Sequence, residues 1–252
     1  MTRSVSVVLP TFEEHQTIGG VIEAAREAVA DRDYEIVVVD DSETRRTVDA
    51  LVDRYGTAQT RVRWIRRHDE TGLASAVLEG FEIGLGDRYV VLDADGQHPP
   101  RRIRNLLYRL DDGADLAVCS RHVDGGEVAG DWPTHRRVIS MGAETLAQLA
   151  VPTARKLSDP MSGYFAVEAD VVDPVRERLR PHGYKILLEL VARCPISRID
   201  EVPYTFAERE EGVSGLGPRE YLKYVKHLIQ LTIPARRESV QVVSPEVEHV
   251  DG

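Results

Sequence analysis

The feature that most constrains this 252-residue chain is an alternation, through its first half, of short apolar runs with stretches of helical period. Residues 4–9 form a β-branched run that stops at Pro10, and residues 14–30 then carry Ile18, Val21, Ile22, Ala25 and Val29 at helical spacing. The run 34–39 ends in Asp40-Asp41 and is followed by a short helical stretch over 46–55. In 61–66, Val62 and Trp64 alternate with arginines, the pattern of a half-exposed strand; 71–84 returns to helical spacing through Leu73, Val77, Leu78 and Phe81. The strand-like run 89–92 ends at Asp93, Pro99 opens a helix that runs to Leu110, and 114–119 is one more strand. Strands separated by helices of this length need crossover connections, which predicts an α/β fold with a mostly parallel central sheet flanked by helices. The apolar strands fit a sheet covered on both faces. Ligands in such sheets bind beyond the carboxyl ends of the strands. Those ends carry Pro10, Asp40-Asp41 and Asp93, three special or acidic positions on one rim.

The second half is less regular. The pattern predicts a helix over 134–150, a loop with Ser158-Asp159-Pro160, a strand over 163–167, helices near 170–179 and 184–193, and a strand over 199–206. Residues 208–217 are charged and glycine-rich, a loop expected to be mobile when empty and to close over a ligand with Arg209. Residues 218–233 place Tyr221, Leu222, Val225, Leu228, Ile229 and Leu231 at helical spacing, with Lys223, Lys226 and His227 between them. Such a helix either packs its stripe on the core or lies on a membrane surface. The reading is one domain over 1–233, with a nucleotide-binding half of about 1–120 and an acceptor half of about 121–233; the polar, acidic segment 234–252 reads as a disordered tail.

Composition narrows the partners. Apolar residues make up 42%, enough for a full core, and the net charge of -10 argues against a nucleic-acid partner, which calls for a basic stripe. Lysine occurs only at 156, 185, 223 and 226 among 32 basic residues, a bias that both high salt and a GC-rich genome produce. Cys119 and Cys194 sit in apolar contexts without CxxC spacing, which suits buried thiols in a reducing cytoplasm. No signal peptide is visible and no apolar run approaches the roughly 20 residues that span a bilayer, so any membrane work is expected from the surface or through a membrane-anchored partner.

Asp93-Ala94-Asp95 is the sharpest chemical feature. Two carboxylates two residues apart at a strand end can converge on one hard cation, and Gln97 adds a neutral oxygen nearby. A tight turn at Asp95-Gly96 explains the same residues equally well. Asp40-Asp41 can accept hydrogen bonds from a nucleobase or ribose, or cap a helix together with Ser42. Arg121, Arg136 and Arg209 are candidates for phosphate contact, because guanidinium groups pair bidentately with phosphate oxygens. There is no GKS or GKT, HExxH or GxSxG sequence, and Gly19-Gly20 and Gly84-Leu85-Gly86 make no dinucleotide fingerprint.

Ordered blocks carry a resemblance: Val8-Leu9-Pro10-Thr11-Phe12-Glu13-Glu14, 37–41, 91–99 (DADGQHP within it), Ser120-Arg121, Trp132 through Arg136 to Ser140, 158–165 (DPMSGYF), 183–190 (GYKILLE) and 202–217 (FxxRxxGxS). Over about 4–232 the chain resembles the family-2 glycosyltransferases, and more narrowly the dolichyl-phosphate mannose synthases and related polyprenyl-phosphate sugar transferases. The resemblance implies a GT-A fold. It implies that Pro10, Phe12, Glu14, Asp40 and the segment around Asp41 and Ala94 line the nucleotide-sugar pocket. Asp93, Asp95 and Gln97 would hold Mg²⁺ or Mn²⁺, and Arg121, Arg136 and Arg209 would neutralise phosphates of donor and acceptor, with Ser214 nearby. The implied reaction moves mannose or glucose from GDP-mannose or UDP-glucose to a polyprenyl phosphate, with inversion, at the cytoplasmic face of a membrane. An acceptor phosphate is already anionic and needs no strong base. A family-2 enzyme acting on a sugar hydroxyl would need one, with Asp159 as the candidate; a non-catalytic binding module is the third possibility. Two departures stand out. The family's Asn-Ser-Pro-Asp-Gly-Thr run is here Ser42-Glu43-Thr44-Arg45-Arg46-Thr47, and its GxSK loop is Gly212-Val213-Ser214-Gly215, without the lysine.

Overall fold

The computed structural model describes residues 3–56, 61–68, 72–130, 134–179, 185–207 and 218–232, the side chains of 134–140, 218–223 and 225 excepted. In chain order the elements are β1 (Val5–Thr11), α1 (Ile18–Ala28), β2 (Tyr34–Asp40), α2 (Arg46–Tyr55), β3 (Val62–Arg66), α3 (Leu73–Ile83), β4 (Arg88–Val91), α4 (Ile103–Asp111) and β5 (Leu116–Ser120). Then come β6 (Glu127–Val128), α5 (Thr134–Ala150), β7 (Phe165–Glu168), α6 (Ala169–Val172), α7 (Ile186–Arg193), β8 (Ile199–Pro203), β9 (Thr205–Phe206) and α8 (Pro218–Thr232). Short 3-10 turns at Pro100–Arg102, Pro152–Lys156 and Asp173–Arg178 complete the described elements; the last takes up most of the helix expected over 170–179.

Seven strands form one sheet in the order β3-β2-β1-β4-β7-β5-β8, so strands from both halves of the chain share it. All neighbours pair in parallel except β7, which runs antiparallel to β4 and β5. The predicted mostly parallel sheet is therefore present, with one reversed strand in its middle. That reversal matters for function. The loop that enters β7, with Asp159 and Ser162, arrives at the same rim as the carboxyl ends of β1, β2, β4, β5 and β8. The expected strand over 199–206 breaks at Tyr204 into β8 and β9, and β9 pairs with β6 in a small separate ladder.

Alternate residues of each strand point to opposite faces and fill two cores. Val8, Val37, Val39 and Val91 pack with Phe81 of α3 and Leu187 of α7, while Val7, Leu9 and Val38 pack with Ile22 of α1, Leu51 of α2 and Leu107 of α4. Gly80 sets how closely α3 lies on β1: a Cβ there would sit 2.3 Å from Val8 Cγ1, a distance no side chain tolerates.

Helix α8 divides its described side chains between two sides. Tyr224, His227 and Leu228 are buried, whereas Lys226 and Ile229 are exposed. Tyr224 Oη donates to Ala143 O of α5 (2.6 Å), and His227 Nε2 lies 2.9 Å from Glu189 Oε2 of α7. Leu228 thus belongs to the core and does not share an outward face with Ile229. On α5, Met141, Leu146 and Leu149 are exposed as well. Among the described residues no helix is long and apolar enough to cross a membrane.

Candidate active site

The segment after β4 is a turn that carries three oxygen-bearing side chains, Asp93, Asp95 and Gln97. Gly96 takes a φ of 82°, the left-handed conformation that a glycine adopts without strain. This lets the chain fold back so that Gln97 N donates to Asp95 Oδ1 (3.0 Å). Thr17 Oγ1, just ahead of α1, donates to Ala94 O (2.6 Å) and fixes the turn against that helix. Gln97 Nε2 donates to Ala207 O (3.0 Å) and Ala207 N to Gln97 O (3.1 Å), so the turn is fastened to the end of β9. One N–H of the carboxamide is thereby engaged, and the carboxamide oxygen is the atom a cation would take. Asp95 is buried and Asp93 half-buried. Two carboxylates and an amide oxygen form a hard-oxygen donor set of the kind Mg²⁺ or Mn²⁺ takes.

His98 supports this turn from behind. Asp93 N donates to His98 Nδ1 (3.0 Å), and the ring is enclosed by Tyr164, Tyr204 and Phe206 at centroid distances of 5.2, 5.9 and 5.6 Å. Burial pushes the imidazole down to about 4, with Arg121 and Lys185 acting in the same direction against Asp95 and Asp159. It is therefore neutral at pH 7, with its proton on Nε2, a tautomer set by the Asp93 amide. The sequence signal for His98 was its place inside DADGQHP.

On the β1 and β2 side, the two adjacent aspartates part company. Asp40 is fully buried; its Oδ1 accepts from Thr11 Oγ1 (3.0 Å), Ser42 N (3.3 Å) and Ser42 Oγ, while Oδ2 is buried with no hydrogen-bond partner among the described residues. Asp41 is gripped by Arg67 Nε (2.7 Å) and Nη2 (2.6 Å) and by Gly72 N (2.7 Å), so it organises the segment around Arg67 and Gly72. Of the pair, Asp40 keeps an unused acceptor. Phe12 is 57% exposed at the rim, and Phe12 N donates to Glu14 Oε2 (3.2 Å). Between them Glu13 sits at φ 61°, an unusual backbone for a non-glycine residue. Its amide donates to Ser42 Oγ (2.7 Å), and its carboxylate accepts from Thr44 N (2.7 Å) and Oγ1 (2.6 Å). The run that departs from the family pattern, 42–47, thus latches the β1–α1 loop.

The same rim also carries two cations. Arg121, just past β5, donates through Nε (2.7 Å) and Nη2 (2.8 Å) to the two oxygens of the fully buried Asp159, and its guanidinium carbon lies 5.5 Å from the centre of the Phe206 ring. Burial pushes the Asp159 carboxyl up, but the hydrogen bonds and charge of Arg121 outweigh it and hold it below the ordinary range. Lys185, before α7, is half-buried and donates to Met161 O (2.9 Å). Burial, then the charge of Arg121, lowers it to about 8, against the pull of Asp159, Asp93 and Glu144. Lys185 was missed in the sequence; its rarity as one of four lysines, inside GYKILLE, was the available signal. His122, Glu144 and Asp159 bring ligand atoms within 4.8 Å of one another. With both Asp159 oxygens on Arg121, that cluster already holds a fixed cation, and Asp93, Asp95 and Gln97 suit a metal better.

Arg136 lies in α5 with its side chain outside the description, and Arg209, Ser214 and the loop 208–217 also lie outside the described residues, as does the segment 234–252. Of the predicted set, the structure brings Asp93, Ala94, Asp95, Gln97, Arg121 and Asp159 to one rim, with Pro10, Phe12, Glu14, Asp40 and Asp41 along it.

The chain as a whole has counterparts among known proteins. Residues 6–173 match the family described as Glycosyl transferase family 2. A dolichol-phosphate mannosyltransferase of Pyrococcus furiosus is 40% identical over 227 residues, covering 90% of this chain and 63% of that protein. A dolichol-phosphate mannosyltransferase of Saccharomyces cerevisiae is 34% identical over 242 residues, 92% of this chain and 88% of that one. The chain thus spans somewhat under two thirds of the length of the Pyrococcus relative. The structure of Mycobacterium tuberculosis glucosyl-3-phosphoglycerate synthase in complex with Mn²⁺, UDP-glucose and phosphoglyceric acid is 20% identical, with a TM-score of 0.61 over 91% of this chain and 78% of that one, a likeness of fold. Sequence match and sheet topology agree: the chain belongs to glycosyltransferase family 2 and has its GT-A fold.

Proposed function

We propose that this chain transfers a hexose, mannose in preference to glucose, from a nucleotide sugar to a polyprenyl phosphate with inversion at the anomeric carbon. The relatives' names support the sugar and the lipid, and GDP-mannose is the donor that fits them, with UDP-glucose the alternative. The observation that carries the choice of acceptor is the state of Asp159. Its oxygens are engaged by Arg121 at 2.7 and 2.8 Å, and its carboxyl is held below the ordinary range. A carboxylate so held is a poor general base. An acceptor that is already anionic fits this rim better than a sugar hydroxyl, which would need its proton removed.

The chain's residues then have these tasks. Asp40 offers its unused oxygen to the nucleoside, and Phe12 and Glu14 form the edge of that pocket. Asp93, Asp95 and Gln97 would hold Mg²⁺ or Mn²⁺, which supplies Lewis-acid neutralisation of the donor diphosphate. Arg121 and Lys185 are the described cations for the phosphate charges, and Arg136, Arg209 and Ser214 are assigned to the same task. An acceptor phosphate oxygen bonds to the anomeric carbon as the bond to the diphosphate breaks, and the nucleoside diphosphate leaves with that electron pair. Orientation and charge neutralisation are the protein's whole contribution.

The lipid is reached from the surface. Met141, Leu146 and Leu149 of α5 and Ile229 of α8 are exposed apolar side chains, and they are the candidates for peripheral contact with the cytoplasmic leaflet or with a membrane-anchored partner. The test is a panel of nucleotide sugars with polyprenyl phosphate and Mn²⁺, scored for lipid-linked product. Mannose on the lipid phosphate is expected; transfer to free or lipid-linked sugars instead would overturn the acceptor assignment.

A further inference from the structure

We infer that Asp159 is the positioning residue of Arg121 rather than a base or a direct acceptor ligand, and that Glu201 of β8 sets the loop that presents it. This rests on the lipid-phosphate reading above. An anionic acceptor is repelled by a carboxylate, so Asp159 gains no favourable contact with it directly. Its geometry instead faces Arg121: Arg121 Nε and Nη2 donate to its two oxygens, and Arg121 N adds a third hydrogen bond at 3.2 Å. A guanidinium has five N–H donors in a rigid plane. Asp159 takes two of them along one edge, and the Phe206 ring at 5.5 Å limits the tilt of that plane. Three N–H donors remain for phosphate oxygens, on a side chain whose orientation is fixed before any ligand arrives.

The loop that carries Asp159 is fixed in turn. Ser158 N donates to Glu201 Oε2 (2.9 Å) and Oε1 (3.1 Å), and Asp159 N donates to Glu201 Oε1 (3.2 Å). Because β8 is hydrogen-bonded to β5, which Arg121 follows, Glu201 ties both partners of the ion pair to one ladder. The sequence of support is Glu201, the Ser158-Asp159 amides, the Asp159 carboxylate and the Arg121 guanidinium. Misplacing a group by about 1 Å can cost about 100-fold in rate, the scale expected when this support is removed.

The experiment is a double-mutant cycle on the whole chain with a short-chain polyprenyl phosphate, using Asp159→Asn, Glu201→Gln and Arg121→Lys. Asp159→Asn alone is expected to lower kcat/KM about 100-fold, mainly through KM for the lipid phosphate, while the pH profile of kcat keeps its shape. In the Arg121→Lys background the same change is expected to cost less than about threefold, since the group it acts through is gone. Glu201→Gln leaves both charges of the pair in place, so it reports on the loop even if Asp159→Asn folds poorly; its smaller loss should also vanish in that background. An undiminished loss from Asp159→Asn in the Arg121→Lys background, or disappearance of an acid limb from its pH profile, would overturn the inference. A second readout needs no turnover: ¹⁵N spectra of arginine Nε–H should show the Arg121 signal protected from solvent exchange in the wild type and unprotected in Asp159→Asn. Unchanged protection there would also overturn it. If the wild type makes no lipid product while the Nε signal behaves as expected, the acceptor reading fails and the positioning role stands.

Discussion

Replacing Lys185 by methionine should make the free protein more stable at neutral pH and much less active. Its ammonium is lowered from the ordinary 10.5 to about 8, with burial as the leading cause. At 1.36 kcal/mol per tenfold change in proton affinity, the charged form is disfavoured in the folded state by about 3 kcal/mol. The folded state binds fewer protons than the unfolded one between pH 8 and 10.5, so stability rises with pH across that window. The penalty is full below pH 8, falls below about 1 kcal/mol at pH 10, and disappears above 10.5. Methionine removes the charge but leaves Met161 O without its donor, a loss of about 1 kcal/mol. The net gain at pH 7 is about 2 kcal/mol, or roughly 4–8 °C in Tm for a domain of this size. The assay is thermal unfolding of both proteins at pH 7 and pH 10, with turnover measured in parallel. Turnover should fall by about 10²–10³-fold, the loss typical of one charge-stabilising donor. A Lys185→Met protein that is less stable than wild type by the same margin at both pH values, or that turns over normally, would refute the reasoning.

Three further outcomes are expected. Asp95→Ala should abolish transfer while costing only about 1 kcal/mol of stability through the lost Gln97 amide bond; wild-type-like activity of that variant in the presence of chelator would remove the metal from the account. Gly80→Ala should destabilise the fold by about 1–3 kcal/mol, since its Cβ would meet Val8 Cγ1 at 2.3 Å; denaturant unfolding at unchanged m-value would show it, and an unchanged midpoint would contradict it. Met141→Glu with Leu149→Glu, both at exposed positions, should reduce co-sedimentation with anionic vesicles without changing Tm, and equal binding would move membrane contact to another surface.

The strand ends were legible because parallel strands buried on both faces are written as unbroken apolar runs, and each run stops at a chemically distinct residue. The direction of β7 was not legible. Its four residues, Phe165–Glu168, carry apolar character but no sign of which way they run, so nothing in the pattern placed Asp159 on the rim. The partners of the site were hidden for a related reason: Arg121 and Asp159 are 38 residues apart, and Glu201 lies 42 residues beyond Asp159. Asp40 and Asp41 look equivalent in sequence, yet alternation along the strand sends one to Thr11 and Ser42 and the other to Arg67. On α8, helical period alone cannot tell a face against α5 and α7 from a face against lipid; the contacts of Tyr224 and His227 place those two side chains against α5 and α7.

The most direct test of the central claim compares two acceptors of identical chain length, a polyprenyl phosphate and the corresponding free polyprenol, with GDP-mannose and Mn²⁺. The account predicts a mannosyl lipid phosphate of inverted anomeric configuration and no product from the alcohol. Efficient mannosylation of the alcohol, or a phosphate-linked product that keeps the donor's configuration, would contradict it.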